Sequence, residues 1–127
     1  MRRMIYIFLL AFIGGILRGY FTLLAGDNHF TATIIINLIG AFILAFITGA
    51  LPYLIEISND LMTGLSVGLV GGFTTFSTFS FDSISLFLDN KIGLGLLYVL
   101  VSLIGGLILA HIGTKLGESF ENKEDQL

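Results

Sequence analysis

Residues 68–82 of this 127-residue chain read Gly-Leu-Val-Gly-Gly-Phe-Thr-Thr-Phe-Ser-Thr-Phe-Ser-Phe-Asp. The stretch lies inside an apolar segment long enough to cross a membrane. In it, glycines are followed by hydroxyl side chains that alternate with phenylalanines, and a carboxylate ends the run. Glycine costs a helix about 1 kcal/mol relative to alanine, so Gly71 and Gly72, followed by two threonines, mark the weakest helical point of the chain. The pattern predicts a membrane helix that is broken near its middle, at about residues 71–75.

The composition of the whole chain is that of an integral membrane protein. Hydrophobic residues make up 55% of it and charged residues 12%, whereas an average soluble domain has about 25% charged residues. Each crossing needs about 20 apolar residues, so the length allows four helices and no extramembrane domain. The sequence has no cysteine and no basic patch. We therefore expect membrane lipid around the protein, no thiolate chemistry and no nucleic-acid partner.

We predict an all-α fold with a single transmembrane domain over residues 1–127. The four helices and a short charged tail are expected at about residues 5–24, 30–51, 61–88, 92–116 and 118–127. The second helix is expected to stop at Pro52, because proline inside a helix removes a backbone hydrogen bond. In the third helix, Gly64, Gly68 and Gly72 recur every four residues, which predicts a ridge that packs closely against another helix.

Polar residues in the first two helices are few and therefore informative. Arg18 lies towards the end of the first helix and is either an interfacial anchor or a cationic vestibule residue that concentrates anions. Asn37 shares a helix face with Thr33, so we expect its amide to face protein or a cavity, either as a contact between helices or as part of a site. His29 and His111 lie near helix ends, where we expect them at the surface.

A broken helix places two opposite helix ends at mid-membrane, where only protein or a water-filled cavity can satisfy them. The last carbonyls of the first half, at about Gly71 to Thr74, are partly negative and suit a small cation. The first amides of the second half are partly positive and suit an anion. With no Lys or Arg expected at this depth, many weak donors would let an anion both enter and leave. These donors are hydroxyls, an amide and positive ring edges, supplied by Ser77, Thr78, Ser80, Asn37, Phe76 and Phe79.

The same residues resemble the signature of the Fluc/CrcB fluoride channels. The matching patterns are Gly68-x-x-Gly71-Gly72-x-Thr74-Thr75-Phe76-Ser77-Thr78-Phe79, Thr33-x-x-x-Asn37-x-x-Gly40-x-Phe42, Gly14-x-x-x-Arg18 and Tyr98-x-x-x-Ser102. The resemblance implies a fluoride-selective channel in the cell membrane, assembled as an antiparallel dimer of dual-topology type. Such a channel lets fluoride leave the cytoplasm and thereby reduces its toxicity.

The resemblance also implies roles for individual residues. Backbone carbonyls of Gly71 and Thr74 from both subunits would hold a central structural sodium ion that is not transported. Phe76 and Phe79 would be the pore phenylalanines. The polar pore contacts would be Asn37, Ser77, Thr78, Tyr98 and Ser102. The family often has glutamate at the position of Asp82, whose side chain is one methylene shorter.

Dimer formation is also expected from the chemistry, because one chain supplies too few carbonyls for a bare cation and a two-fold axis through the break would double them. With four crossings, both termini share one side, which holds four Lys and Arg residues against two on the other side. A protein that inserts in both orientations should have almost no such bias. The partner is therefore either a second copy that inserts inefficiently in the opposite orientation or an oppositely oriented paralogue.

Two other classes of function stay open from the sequence. A small four-helix drug or cation antiporter would need a titratable carboxylate inside the membrane, and within the predicted helices only Asp82 could serve. A non-transporting membrane scaffold would use the glycine ridges for assembly alone. No enzyme is expected, because the sequence has no Ser/His pairing, no HExxH motif and no pair of carboxylates.

Overall fold

The computed structural model describes the backbone of residues 1–124 and the side chains of residues 1–120. Within the described residues the secondary structure is helical and contains no strand. The elements are α1 (Arg2–Ala25), α2 (His29–Leu54), α3 (Asn59–Thr63), a π-helical segment (Gly64–Val70), α4 (Gly71–Phe73), α5 (Phe76–Leu88) and α6 (Ile92–Glu124).

Three helices of the described chain are long and apolar enough to cross a membrane: α1, α2 and α6 as far as Phe120. Their large apolar side chains point mostly outwards, with Phe8, Phe12 and Leu107 exposed by 73%, 65% and 73%. Such a surface would be unfavourable in water, but it suits lipid or another apolar chain. The fold is therefore that of a multi-pass membrane protein, as the composition predicts.

The predicted glycine ridge packs against α1. A Cβ atom added to Gly68 would lie 2.7 Å from the carbonyl oxygen of Ile7, and one added to Gly72 would lie 2.5 Å from that of Ala11. Gly64 makes a similarly close approach to α1. The absence of side chains at these positions lets two backbones approach each other closely, which confirms the ridge.

The π-helical segment keeps this ridge straight. In an α-helix with 3.6 residues per turn, positions four apart drift by about 40° around the axis. The wider turns of a π-helix rotate the chain less per residue and offset that drift. Gly64 and Gly68 both lie in the π-helical segment, whereas Gly72 lies in α4. All three can therefore face α1.

A second seam of small residues joins α2 to α6. A Cβ atom added to Gly49 would lie 3.3 Å from the Cα atom of Gly117, and the rings of Phe46 and Phe120 meet edge to face with centroids 6.1 Å apart. These contacts explain why α6 continues to Glu124 instead of ending near residue 116. The last residues of the predicted tail, 125–127, lie outside the described residues.

The second helix also continues further than expected. Pro52 lies inside α2, which ends only at Leu54, and the N–H of Ile55 donates to the carbonyl of Leu51 at 3.2 Å. Proline removes one donor, and in the last turn of a helix the loss of that single hydrogen bond does not end it.

Helical conformation stops at Thr74 and Thr75, which have extended backbone angles (φ −77°, ψ 162° and φ −147°, ψ 115°). Gly71 and Gly72 are helical, contrary to the expectation that the glycines would form part of the interruption. Packing of Gly72 against Ala11 holds that turn in place. Threonine, being β-branched, fits extended backbone well, so the threonines are the residues that leave the helix.

Candidate functional site

The extended peptide of Thr75 is held by the side chain of Asn37. The amide nitrogen Nδ2 of Asn37 donates to the carbonyl of Thr75 at 2.9 Å, and the N–H of Thr75 donates to Oδ1 of Asn37 at 2.8 Å. This pair of hydrogen bonds imitates the pairing of two β-strands. Asn37, predicted from sequence to contact the pore, thus lies against the backbone of the interruption and satisfies both polar groups of a buried residue.

The first side of the interruption presents carbonyl groups. The N–H of Thr75 would close the next helical turn on the carbonyl of Gly71, but it donates to Asn37 instead, so this helix end is left with an available acceptor. The carbonyl of Thr74 accepts a hydrogen bond from Nη1 of Arg18 at 3.1 Å. The structure brings both predicted carbonyl ligands to the same interruption.

The position of Arg18 corrects one expectation. The sequence suggested that no Lys or Arg, Arg18 included, would be available at the depth of the broken segment. Instead, its partly buried guanidinium group spans from α1 to the carbonyl of Thr74. The long, flexible arginine side chain can carry its charge well away from its own Cα atom, which spacing in the sequence does not reveal.

The second side of the interruption is the N-terminus of α5, capped by Thr75. The hydroxyl oxygen of Thr75 accepts from the N–H of Thr78 at 3.2 Å, and its hydroxyl donates to that of Thr78 at 2.9 Å. The Ser77 hydroxyl lies 3.3 Å from the Thr75 hydroxyl, whereas Ser80 bonds back to the carbonyl of Phe76. Because the first amides of a helix have no partner within it, those of Phe76 and Ser77 are available to an anion.

The two predicted pore phenylalanines have different surroundings. Phe76 is 79% exposed in the single chain, and its ring centroid lies 5.9 Å from that of Phe79. Phe79 also stacks on Tyr98 at 5.5 Å. The structure therefore joins Phe79 and Tyr98, while Phe76 projects away from the rest of the chain.

An open groove of ≈ 330 Å³ runs between α2 and the interrupted segment. It contains the carbonyl side of the interruption, the start of α5 and the exposed phenylalanine. Its lining residues are Asn37, Gly40, Ala41, Leu44, Ser66, Val70, Gly71, Thr74, Thr75 and Phe76. The groove thus joins the predicted sodium ligands Gly71 and Thr74 with Asn37 and Phe76, whereas the other predicted pore residues do not line it: Ser77, Thr78, Phe79, Tyr98 and Ser102.

The contacts of the buried Asp82 with α6 and α2 were not anticipated. Asp82 is 2% exposed, and one of its carboxylate oxygens accepts a hydrogen bond from the Tyr98 hydroxyl at 3.0 Å. Nδ1 of His29, a residue expected at the surface, lies 3.4 Å from the other oxygen. One turn beyond Tyr98, the Ser102 hydroxyl is buried and has no hydrogen-bond partner within the described residues.

At the interruption, the groups whose chemistry suits a small hard cation are backbone carbonyls. Within the described residues no group of three or more His, Asp and Glu side chains could hold a metal ion. Carbonyl oxygen is a suitable ligand for a hard cation, and each carbonyl has two lone pairs. The Gly71 carbonyl fits such an ion, and that of Thr74 fits through the lone pair that Arg18 does not use.

Fold and site together define a helical, multi-pass protein of the cell membrane. The sequence profile of the family described as CrcB-like protein, Camphor Resistance (CrcB), matches residues 5–114. Across 123 residues the chain is 42% identical to the fluoride-specific ion channel FluC 2 of Listeria innocua, covering 94% of this chain and 90% of that protein. The chain belongs to the CrcB family.

Other relatives agree with this assignment. The fluoride-specific ion channel FluC 1 of Desulfitobacterium hafniense is 46% identical over 96 residues, with 75% of this chain and 84% of that protein covered. FluC 1 of a Bacillus cereus strain is 40% identical over 124 residues, with 93% and 90% covered. The resemblance seen in the sequence is confirmed, and these relatives are named as channels, a class distinct from enzymes.

Proposed function

We propose that this protein is a fluoride-selective channel that lets fluoride leave the cytoplasm and so reduces its toxicity. The observation that carries the proposal is the interruption at Thr74 and Thr75. It leaves the first amides of α5 free beside a groove that is lined by Thr74, Thr75 and the exposed Phe76. The names of the relatives, all fluoride-specific ion channels, supply the identity of the anion.

In this proposal α3, the π-helical segment, α4 and α5 together form a third membrane crossing, interrupted in its middle. Residues 59–88 are about 30 in number and span roughly 45 Å at 1.5 Å per residue, enough to cross a hydrocarbon core of about 30 Å with some tilt. With α1, α2 and α6 they make a single transmembrane domain of four helices.

The proposed anion path consists of many weak donors, none of which carries a full charge. Fluoride is small and strongly hydrated, so closely spaced donors must replace its water. The first amides of α5, the hydroxyls of Ser77 and Thr78, and the ring edges of Phe76 and Phe79 begin the path, and the hydroxyl of Tyr98 continues it. The unpartnered hydroxyl of Ser102 is a further donor, because a buried hydroxyl without a partner is costly.

The groove is completed by a second chain in the opposite orientation. Gly71 has nothing within 4 Å of an added Cβ atom, and Phe76 is exposed in the single chain, so this face has room for a partner. The partner is a second copy or an oppositely oriented paralogue. The relatives are numbered FluC 1 or FluC 2, which supports considering both.

A structural sodium ion on the dimer axis, held by the carbonyls of Gly71 and Thr74 of both chains, would neutralise the two facing helix ends. The guanidinium of Arg18 on the carbonyl of Thr74 weakens the binding of this ion, since two unit charges about 5 Å apart repel by about 3 kcal/mol at an effective dielectric constant of 20.

Replacing sodium by N-methylglucamine in all buffers should lower the thermal midpoint of the purified dimer. Equal midpoints would contradict the sodium site.

Growth in fluoride tests the proposed function in cells. A bacterium made sensitive by loss of its own fluoride export should grow again in fluoride when it expresses this chain. The same host with a chain that reaches the membrane but carries Phe76→Ile should grow less well. Failure of the wild-type chain to protect, despite membrane insertion, would contradict the proposal.

A further inference from the structure

An acid–base pair lies beside the first residue of α2. Asp82 is 2% exposed, and its Oδ2 atom accepts a hydrogen bond from the Tyr98 hydroxyl at 3.0 Å. Its Oδ1 atom lies 3.4 Å from Nδ1 of His29. The buried carboxylate therefore has one hydroxyl donor and one titratable ring nitrogen around it.

The charge of this pair depends on His29. An ionised carboxylate removed from water needs a compensating charge, and a neutral imidazole does not supply one. Imidazole is a side chain that can bind a proton, and His29, with 48% of its side chain exposed, is open to solvent. Protonation converts a net negative site into a neutral ion pair.

The other titratable and charged groups near the pair do not supply a positive charge to Asp82. From α6 the titratable group facing Asp82 is Tyr98. Asp27 lies two residues before His29 in the connection to α2, and it adds negative charge there. Nζ of Lys91 lies 3.8 Å from Asp89 at the turn before α6. Within the side chains that the structure describes, His29 is the basic group that lies beside Asp82.

A ring contact links this charge to the proposed anion path. Tyr98, which donates to Asp82, stacks on Phe79 at 5.5 Å, and Phe79 in turn lies beside Phe76. Resting on the proposed channel function, we infer that protonation of His29 neutralises Asp82 and raises fluoride flux at acid pH. A unit charge about 10 Å from the anion, at an effective dielectric constant of about 20, changes its rate of passage roughly tenfold.

The test is fluoride efflux from vesicles containing the purified protein, with the same pH on both sides, at about pH 5.5 and about pH 7.5. Protein-free vesicles provide the background, because hydrogen fluoride crosses lipid without a channel. Wild-type flux should be about tenfold higher at the lower pH. His29→Gln should keep the low flux at both values, and Asp82→Asn, which lacks the negative charge, should have a flux at the higher pH that is at least as high as the wild-type flux at the lower pH. His111→Gln, which changes the other histidine of the chain, should behave like the wild type.

The outcomes separate this inference from the proposed function. Wild-type flux that is equal at both pH values, or pH dependence that survives in His29→Gln, overturns the inference and leaves the channel intact. Absence of wild-type fluoride flux at both values overturns the channel proposal and the inference with it. Loss of all flux in a folded Asp82→Asn protein also overturns the inference, since a proton-coupled carrier would then need this carboxylate.

Discussion

Asn37 holds the extended backbone of Thr75 through one hydrogen bond to its carbonyl and one from its amide. Asparagine has a donor and an acceptor on the same planar group, which is what a single unpaired peptide requires. The residue therefore stabilises the interruption itself, before any ion is present. Substitutions at this position should affect folding as well as transport.

Asn37→Asp removes the donor to the Thr75 carbonyl and places a carboxylate beside other acceptors. An unsatisfied buried group costs about 1–3 kcal/mol, so we expect a clearly lower thermal midpoint in detergent. Asn28→Asp, at an exposed amide just before α2, is the matched control and should change little. Equal midpoints for the two variants would contradict the conclusion that Asn37 stabilises the interruption.

The phenylalanine rings should matter for flux more than for assembly. Phe76→Ile keeps much of the volume but loses the positive ring edge, so fluoride flux should fall while the elution volume of the dimer stays unchanged. Phe79→Ile should also lower the flux and, by losing its stacking on Tyr98, cost about 0.5–1.5 kcal/mol of stability. Phe81→Ile, at another exposed ring on α5, is the control; a flux loss as large as that of Phe76→Ile would argue against a specific ring effect.

At the scale of elements, the packing of the glycine ridge follows from the sequence, but the site of the interruption does not. The four-residue spacing of Gly64, Gly68 and Gly72 is sufficient to predict close contact with another helix, as observed. The intrinsic weakness of Gly71 and Gly72 suggested that they would leave the helix. Their helical conformation depends on contacts with α1, and such tertiary contacts override local propensity.

The polar contacts of the site depend in the same way on three-dimensional neighbours. The hydroxyl-rich start of α5 is evident from the sequence, and so is the need for Asn37 to face protein. The reach of Arg18 to Thr74 and the approach of His29 to Asp82 join residues that lie far apart in the chain. Within a single sequence, a lone histidine near a helix end carries no signal of such a partner.

Adjacent glycines provide a test of these element contacts. Gly72→Val would place a Cβ atom 2.5 Å from the carbonyl of Ala11, and such overpacking costs about 1–3 kcal/mol, so the thermal midpoint should fall.

Gly71→Val has open space around the added Cβ atom and should fold, but it should weaken the dimer because that face is proposed to meet the partner. Cross-linking in membranes measures the dimer. An unaltered dimer in Gly71→Val would place the partner elsewhere.

At the scale of the whole molecule, membrane orientation decides which partner would complete the groove in the proposed dimer. The predicted side with both termini has four Lys and Arg residues and the other side has two, a bias that favours termini in the cytoplasm. A C-terminal reporter that is active only on the cytoplasmic side should therefore give a stronger signal than one that is active only outside. Equal signals from the two reporters would contradict a preferred orientation and favour a homodimer of oppositely inserted copies.

Anion selectivity is the property that the assembled site must produce. Closely set amides, hydroxyls and ring edges can replace the water around a small anion, but they leave a larger halide poorly fitted. Fluoride and chloride efflux, measured with ion-selective electrodes on the same vesicles containing purified protein, tests this most directly. The structure predicts rapid fluoride efflux with chloride release no faster than from protein-free vesicles. Chloride efflux as fast as that of fluoride would contradict it.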